Sequence, residues 1–293
     1  MKKQSKATLF AILAVLSWST VATAFKIGLS TLNLLELLFI ASISSTLALF
    51  VILIFSGKIL LLKETKPKEL FSSILLSLLN PFGYYLILFK AYDLLPAQEA
   101  LTLNYTWAIV VVLLSIPILK QRIRPLEFLA LLVSFFGVVI IATHGNLFDI
   151  KLSNSLGVFL AIISSLVWAL FWIFNLKDKR DSLVKLFWNF LFGSIFISLL
   201  VIYYGEFSIN WTSLLPAIYI GLFEMSVAFY FWLSALKYSE STVKVSNLIY
   251  LSPFLSLFII NIVLGEQVLI STFIGLALII SGIILQQIVK KLF

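Results

Sequence analysis

Long apolar runs follow one another through nearly the whole chain, and short polar stretches separate them. Ten of these runs have about 20 residues, which is enough to cross a hydrocarbon core of about 30 Å as a helix. None alternates in polarity, as the strands of a membrane barrel would. The pattern predicts an all-α polytopic membrane protein with ten transmembrane helices, at residues 7–26, 34–56, 70–92, 97–118, 125–143, 156–175, 183–204, 211–236, 242–264 and 272–289.

The distribution of charge predicts the orientation of these helices. Only 12% of the residues are charged, against about 25% in soluble domains. If the N-terminus is cytoplasmic, all of the 21 Lys and Arg residues except Lys26, Lys90 and Lys151 fall on the inner side, as the positive-inside rule requires. We therefore expect a multi-pass protein of the cytoplasmic (inner) membrane with both termini in the cytoplasm.

The distribution of basic residues also indicates which partners to expect. The net charge of +8 is divided among many short loops. These loops lack the interleaved aromatic residues of a nucleic-acid platform, so nucleic acid is not an expected partner. Contacts with membrane lipid headgroups are expected instead. The first span lacks a small-residue cleavage site and is predicted to remain as a helix.

The chain has few residues that could bind a metal ion and none that could act as a thiol. The chain contains no cysteine and one histidine, His144, which stands with Asp149 in an outer loop. A zinc site usually needs three or four His, Cys or carboxylate ligands. We expect no metal and no cofactor.

The chain reads as two similar halves, 1–145 and 146–293. Trp18 and Trp168 occupy matching places in the first and sixth runs, and the stretch 129–140 parallels 274–285. Each half has five spans, an odd number, so the second half enters the membrane from the opposite face. The prediction is therefore two inverted five-helix repeats, which in transporters place a substrate site near the midplane.

Several short motifs follow one another along the chain. They are the sequence 235–238 closing the eighth run, Pro253 in the ninth, 264–266 closing it, the glycines Gly275 and Gly282 in the tenth, and the stretch 92–107. Together they resemble the EamA-domain proteins of the drug/metabolite transporter superfamily. The resemblance covers essentially the whole chain. It implies ten helices in two halves and favours export of a metabolite, such as an amino acid or a drug-like amphipath.

Glu224 is the most informative polar residue within the spans. It lies halfway along the eighth run, where an ionised acid costs roughly 2.5–3.5 kcal/mol on insertion scales. One hypothesis is that it binds a cationic group when ionised and releases it when protonated, which would couple transport to protons. The alternative is a structural acid, permanently neutral or hydrogen-bonded to a neighbouring helix.

Other candidates line the same predicted cavity. Asn80 precedes a proline in mid-helix, which removes a backbone hydrogen bond and exposes carbonyl groups. Aromatic packing between helices, or bonds to a neighbouring backbone, would explain each of the others equally well. The remaining substrate-binding candidates are Trp18, Tyr84, Asn104, Trp168, Trp172, Tyr230 and Asn247.

Absent features narrow the function. Phosphate-bearing solutes call for Arg or Lys at the site, and no cation lies at mid-depth, so neutral, zwitterionic or cationic small molecules remain. Hydrolase and phosphate-binding motifs are also missing, so the chain is not expected to be an enzyme. We predict a secondary transporter working by alternating access, as a monomer or homodimer, with a lipid flippase, a channel or, last, an intramembrane enzyme as alternatives.

Overall fold

The computed structural model of the chain describes residues 3–120, 125–146, 153–204, 211–239 and 248–292. Every regular element within these ranges is a helix. The α-helices are α1 Lys3–Ser19, α2 Val21–Leu29, α3 Leu34–Phe55, α4 Pro67–Ser77, α5 Tyr84–Leu94, α6 Ala97–Asn104, α7 Trp107–Leu119, α8 Pro125–Ala142, α9 Ser155–Lys177, α10 Ser182–Tyr204, α11 Trp211–Tyr219, α12 Val227–Tyr238, α13 Leu251–Leu264 and α14 Ile270–Leu292.

Seven helical stretches are long and apolar enough to cross a membrane: Lys3–Leu29, Leu34–Phe55, Pro67–Leu94, Ala97–Ile118, Ser155–Asn175, Ser182–Tyr204 and Ser213–Tyr238. Three shorter apolar helices are Phe128–Ile141, Leu248–Leu264 and Ile270–Leu285. The predicted all-α, multi-span class is thus confirmed. The count of ten crossings and the inverted repeat remain predictions.

Side chains cap the helices where the chain turns. At the start of α3, Asn33 accepts a hydrogen bond from the backbone N–H of Glu36 (2.9 Å), and Glu36 accepts one from the backbone of Asn33 (3.1 Å). This capping box satisfies donors that a helix start leaves unpaired. Glu36 is buried, and its carboxylate has this structural role.

The chain folds into two compact units, each built from separate segments. The first comprises Met1–Leu86 and Asp178–Leu264, and the second comprises Ile87–Lys177 and Gly265–Phe293. Each unit therefore contains residues from both of the predicted halves. The predicted halves, 1–145 and 146–293, are defined by repetition in the sequence and not by these units, and they remain a prediction.

In the first unit, α1 packs against α12 and α13, and α3 packs against α10. Polar side chains join these helices. The Thr46 and Ser194 hydroxyls are 2.8 Å apart between α3 and α10, and Ser256 donates to the carbonyl of Ser19 (2.6 Å). Hydrogen bonds of this kind stabilise helix pairs in lipid, where apolar contact alone gives little preference for protein over lipid.

In the second unit, α8 and α14 run antiparallel in close contact, because glycines allow their backbones to approach. A Cβ atom on Gly275 would lie 2.6 Å from the carbonyl oxygen of Gly137 and 2.5 Å from Ile141. Gly282 lies against the backbone of Ala130 further along the same pair. The helices are also joined by a hydrogen bond from Ser134 to the Ile279 carbonyl (3.0 Å).

Replacing Gly275 by Leu should separate these helices, since no side chain fits between them. Overpacking of a tight contact costs about 1–3 kcal/mol. Thermal unfolding of the purified protein in detergent should show a lower melting temperature for Gly275→Leu. The neighbouring Ile274 is 46% exposed, so Ile274→Leu should leave the melting temperature unchanged. Equal melting temperatures for the two variants would contradict the close packing.

Candidate functional site

The helical stretch made by α4 and α5 is interrupted at its middle, between Leu78 and Gly83. Asn80 has extended backbone angles (φ −148°, ψ 123°), and Pro81, which follows it, has no N–H to donate. The Pro81 ring packs directly on Gly193 of α10, where a Cβ atom would lie 2.5 Å from the ring. The predicted irregularity at Asn80 is therefore a true break, held in place by a neighbouring helix.

A second interruption divides α11 from α12. Residues Ile220–Glu224 form a π-helical turn, and Ser226 then leaves helical geometry (φ −139°, ψ −68°). Side chains satisfy the backbone groups that this break frees. Ser226 donates to the Gly221 carbonyl (2.7 Å), and Ser45 of α3 donates to the Met225 carbonyl (3.0 Å). Such irregular backbone is tolerated at membrane depth only where it is enclosed by protein or lines a cavity.

Glu224, the last residue of the π-helical turn, connects the two interrupted helices. Its carboxylate accepts a hydrogen bond from the hydroxyl of Tyr85 (3.1 Å), and both residues are buried. Tyr85 stands one helical turn beyond Pro81. The sequence predicted a role for Glu224 and for Tyr84. It did not single out Tyr85, the next residue along the chain, whose hydroxyl donates to the carboxylate.

Two asparagines in the first unit have buried side-chain amides without hydrogen-bond partners. Both amide atoms of Asn80, and both of Asn189 on α10, are buried and unpaired among the described residues. A buried polar group left unpaired costs about 1–3 kcal/mol. A ligand or water that reached these amides would supply the missing partners.

Asn189 was missed by the sequence reasoning. It stands one helical turn before Gly193, the residue that packs on Pro81. The signal that would have found it is its position as the only amide side chain in the run 183–204. A polar residue inside a membrane span is a functional candidate by default.

Two of the predicted aromatic residues, Trp18 and Tyr84, lie in the first unit. Trp18 of α1 packs edge-on against Phe229 of α12, with ring centroids 5.8 Å apart. It also contacts the tilted ring of Trp232 on α12, at 5.8 Å. The Tyr84 ring contacts Tyr85 (4.8 Å). Trp18 and Tyr84 thus stand on elements of the first unit, as do Glu224 and Asn80.

The other predicted residues are placed differently. Tyr230 packs against Phe10 (6.3 Å) in an aromatic cluster of α1 and α12. In the second unit, Trp168 and Trp172 of α9 contact each other at 5.8 Å, and the Asn104 amide donates to Ser164 (2.8 Å). Asn247, also predicted to bind substrate, lies outside the described residues.

Glu99, His144 and Ser153 form a polar cluster in the second unit. His144 Nε2 lies 2.6 Å from Glu99 Oε1 and 3.0 Å from the Ser153 hydroxyl, which also donates to both carboxylate oxygens of Glu99 (2.7 Å each). A hydrolytic triad needs the acid and the nucleophile on opposite ring nitrogens, and here both contact the same one. The cluster ties the end of α8 to α6.

His144 was predicted to stand in an outer loop with Asp149, which lies outside the described residues. Within the part of the chain that the structure describes, no group of three or more His, Cys, Asp or Glu side chains is placed to hold a metal ion. Glu266 instead serves as a helix cap, because its carboxylate accepts from the backbone N–H of Ala97 (3.0 Å) at the start of α6.

An ion cluster lies just before α10 in the first unit. The Arg180 guanidinium donates to both carboxylate oxygens of Asp178 and to Ser73 (2.7 Å), while the Lys185 ammonium donates to the Asp178 carbonyl (3.0 Å). Burial acts to raise the pKa of Asp178, but the hydrogen bonds and charge of Arg180 outweigh it and hold that pKa below its usual value.

Known proteins resemble this chain in sequence and in fold. The sequence profile of the EamA-like transporter family matches residues 5–143 and 155–286. A protein of Acidianus ambivalens described as an uncharacterized transporter in the sor 3'region is 30% identical over 241 residues, covering 80% of this chain and 91% of that relative. The uncharacterized transporter YoaV of Bacillus subtilis is 25% identical over 283 residues, 95% of each chain.

One protein of known crystal structure aligns with a TM-score of 0.69 at 20% identity, covering 98% of both chains. At this identity the likeness concerns the fold alone.

Replacing Asp178 by Asn should destabilise the protein, because Arg180 and Lys185 then lose their partly buried counter-charge. An exposed pair contributes at most about 1 kcal/mol and a fully buried one about 3 kcal/mol or more, so a loss of about 1–3 kcal/mol is expected here. Unfolding at neutral pH should show this loss. Because the pKa of Asp178 is lowered in the fold, the stabilisation is present at neutral pH and disappears as the pH falls through that lowered value, so the two proteins should converge in strong acid.

The matched control for this substitution is Asp93→Asn. Asp93 forms an exposed pair with Lys90 (side chains 45% and 46% exposed), and such pairs contribute at most about 1 kcal/mol. If both variants lose the same stability at neutral pH, the buried cluster is not a stabilising feature.

Proposed function

Because the chain belongs to the EamA-like transporter family, we propose that it is a secondary transporter that carries a small metabolite across the cytoplasmic membrane by alternating access. The proposed substrate site lies in the first unit, at the two interrupted helices. Discontinuous helices are the usual source of substrate sites in transporters, since their breaks expose backbone and side-chain groups at mid-depth.

One observation carries the proposal. Glu224 stands on one break and Asn80 on the other, and the hydroxyl of Tyr85 joins the carboxylate to the helix that contains Asn80. The amides of Asn80 and Asn189 have no partner among the described residues. This arrangement offers an acid, a hydroxyl and two unused amides within a buried region, which a packed helical bundle without a ligand would have little reason to keep.

Correspondence between the two broken helices supports an inverted repeat. When α4–α5 is aligned with α11–α12, both ends coincide and the breaks fall within about two residues of each other. Asn80 then occupies the position of Glu224, and Pro81 that of Met225. The two residues proposed to bind the substrate are therefore counterparts, as expected for a site on an internal two-fold axis.

Contacts of α3 and α10 support the same relation. When these helices are aligned at their first residues, Thr46 falls on Ser194, and the two hydroxyls are in contact at 2.8 Å. Equivalent residues touch each other only beside a symmetry axis. Ser45 falls on Gly193, and the bond from Ser45 to Met225 then corresponds to the packing of Gly193 on the first broken helix.

The second unit contains an equivalent self-contact. Residues 129–140 of α8 parallel 274–285 of α14, which makes Ser134 the counterpart of Ile279, and these two residues are hydrogen-bonded. The antiparallel course of the two helices is the one that a two-fold axis between them requires. These contacts support two five-helix repeats, 1–145 and 146–293, of opposite orientation.

The chemistry of the site favours a neutral, zwitterionic or cationic solute. A carboxylate accepts hydrogen bonds from an ammonium or other cationic group, and amides bond either donors or acceptors. Trp18 and Tyr84 offer aromatic faces on the same unit. Amino acids and amphipathic, drug-like molecules meet these requirements, and the family relation favours their export.

Coupling to protons is a separate part of the proposal. A buried carboxyl exchanges a proton more readily than it keeps an uncompensated charge, so Glu224 would take up a proton when a cationic solute leaves. Both termini are proposed to be cytoplasmic, and the protein is proposed to act as a monomer or homodimer among membrane lipids.

Replacing Glu224 by Gln should strongly reduce gradient-dependent transport. A thermal-shift screen with amino acids, polyamines and cationic dyes first selects the solute that stabilises the protein. Flux of that solute into proteoliposomes is then measured with and without a pH gradient. For Glu224→Gln we expect at least a ten-fold loss of the gradient-driven rate, because removing a charge-assisted hydrogen bond costs about 1.5–3 kcal/mol.

The control is Glu64→Gln, which changes an exposed carboxylate in the connection between α3 and α4 and should transport like the unchanged protein. Tyr85→Phe removes only the hydroxyl that holds Glu224 and should lower the rate by a smaller factor. Undiminished transport by Glu224→Gln that still depends on the gradient would exclude this residue as the coupling site.

A further inference from the structure

The first unit contains a second feature that the transport site does not use. A cavity of about 380 Å³ lies between α2, α11 and α13. Its walls are mostly apolar, and three of its wall residues, Ile27, Leu215 and Val263, are 38%, 72% and 55% exposed. In a span of a membrane protein, exposed apolar side chains face hydrocarbon. The cavity is therefore open to the acyl chains of the bilayer.

The cavity also contains a hydroxyl without a partner. Thr23 stands in its wall, is 4% exposed, and its buried Oγ1 atom makes no hydrogen bond to any residue that the structure describes. Threonine in a helix usually bonds a carbonyl three or four residues back, as Thr20 does with Ser17 (2.8 Å). Thr20 and Tyr219, which also line the cavity, bond each other at 2.6 Å. The Thr23 hydroxyl alone remains unused among these three.

The depth of Thr23 suggests which atom it would bind. The first span has 27 residues, which at 1.5 Å per residue covers about 40 Å, close to the whole bilayer with its headgroups. Thr23 is six residues from the end of this span at Leu29, or about 9 Å below it. Headgroups occupy roughly 5–7 Å at each end of such a span, so Thr23 lies just inside the hydrocarbon core, within a few Å of the ester carbonyls at its boundary.

We propose that this cavity binds one acyl chain of a membrane phospholipid, with the Thr23 hydroxyl donating a hydrogen bond to the ester carbonyl of that chain. Given the predicted orientation, the lipid belongs to the outer leaflet. Tyr219, on the cavity wall, immediately precedes the π-helical turn that ends at Glu224. A bound chain would thus brace the helix just before its break.

The test uses the full chain in liposomes made with a phosphatidylcholine that carries a diazirine near the carbonyl end of one acyl chain. Illumination followed by mass spectrometry identifies the labelled residues. We expect Leu215 and Val263 to be labelled several-fold more than Leu47 and Ile202, which are 61% and 80% exposed on the same unit. Equal labelling of all four residues would show a plain lipid-facing surface and overturn the proposal.

The role of the hydroxyl is tested with matched ester-linked and ether-linked lipids competing for the labelled site. The unchanged protein should prefer the ester lipid by about three- to ten-fold, the effect of one hydrogen bond, and Thr23→Val should lose that preference. Thr8→Val is the control, because Thr8 lies on the same span and bonds the Gln4 carbonyl (3.0 Å), so it should keep the preference. An ester preference that is absent, or that survives in Thr23→Val, would overturn the assignment of Thr23.

If Thr23→Trp fills the cavity and folds with unchanged thermal stability, labelling of Leu215 and Val263 should fall to the level of Leu47. Labelling that stays high in a folded Thr23→Trp protein would contradict a bound chain. Because Thr23 takes no part in the proposed solute site, transport of the selected solute by Thr23→Val separates this inference from the proposed function.

Discussion

The pairing of backbone N–H and C=O groups within the membrane is the constraint on which the structure depends. An unbroken helix pairs its own backbone groups, whereas at each break other elements must supply the hydrogen-bond partners. At the second break Ser226 and Ser45 supply donors, and at the first break Gly193 lets α10 approach the Pro81 ring. The breaks are therefore built into the fold, and each one depends on a helix that packs against it.

Side chains bond several backbone carbonyls at the second break, whereas two side chains near the first are left without partners. The four amide atoms of Asn80 and Asn189 are unpaired within the described part of the chain, while Glu224 is held by Tyr85. A protein under selection for stability alone would replace such amides by apolar residues, since unpaired buried polar groups are costly. Their retention in a transporter is explained if a solute supplies the partners during part of the transport cycle.

The sequence predicted the helical class and the position of the apolar runs, and it singled out Glu224 and Asn80 as candidates because burial in lipid makes polar residues conspicuous. It did not single out Asn189 or Tyr85, whose contacts depend on which helices become neighbours. Periodicity along one helix carries no information about its partners. The two compact units, each assembled from both halves of the chain, were hidden from the sequence for the same reason.

Access to the proposed site from water is the central claim, and the cysteine-free chain allows a direct measurement. A single cysteine replaces Asn189, and a membrane-impermeant maleimide is applied to intact cells and to inside-out vesicles, with a cysteine at Glu64 as the exposed control. The account predicts that the cysteine at position 189 reacts from at least one side and that a stabilising solute slows the reaction. No reaction from either side, with or without solute, while the control reacts, would contradict it.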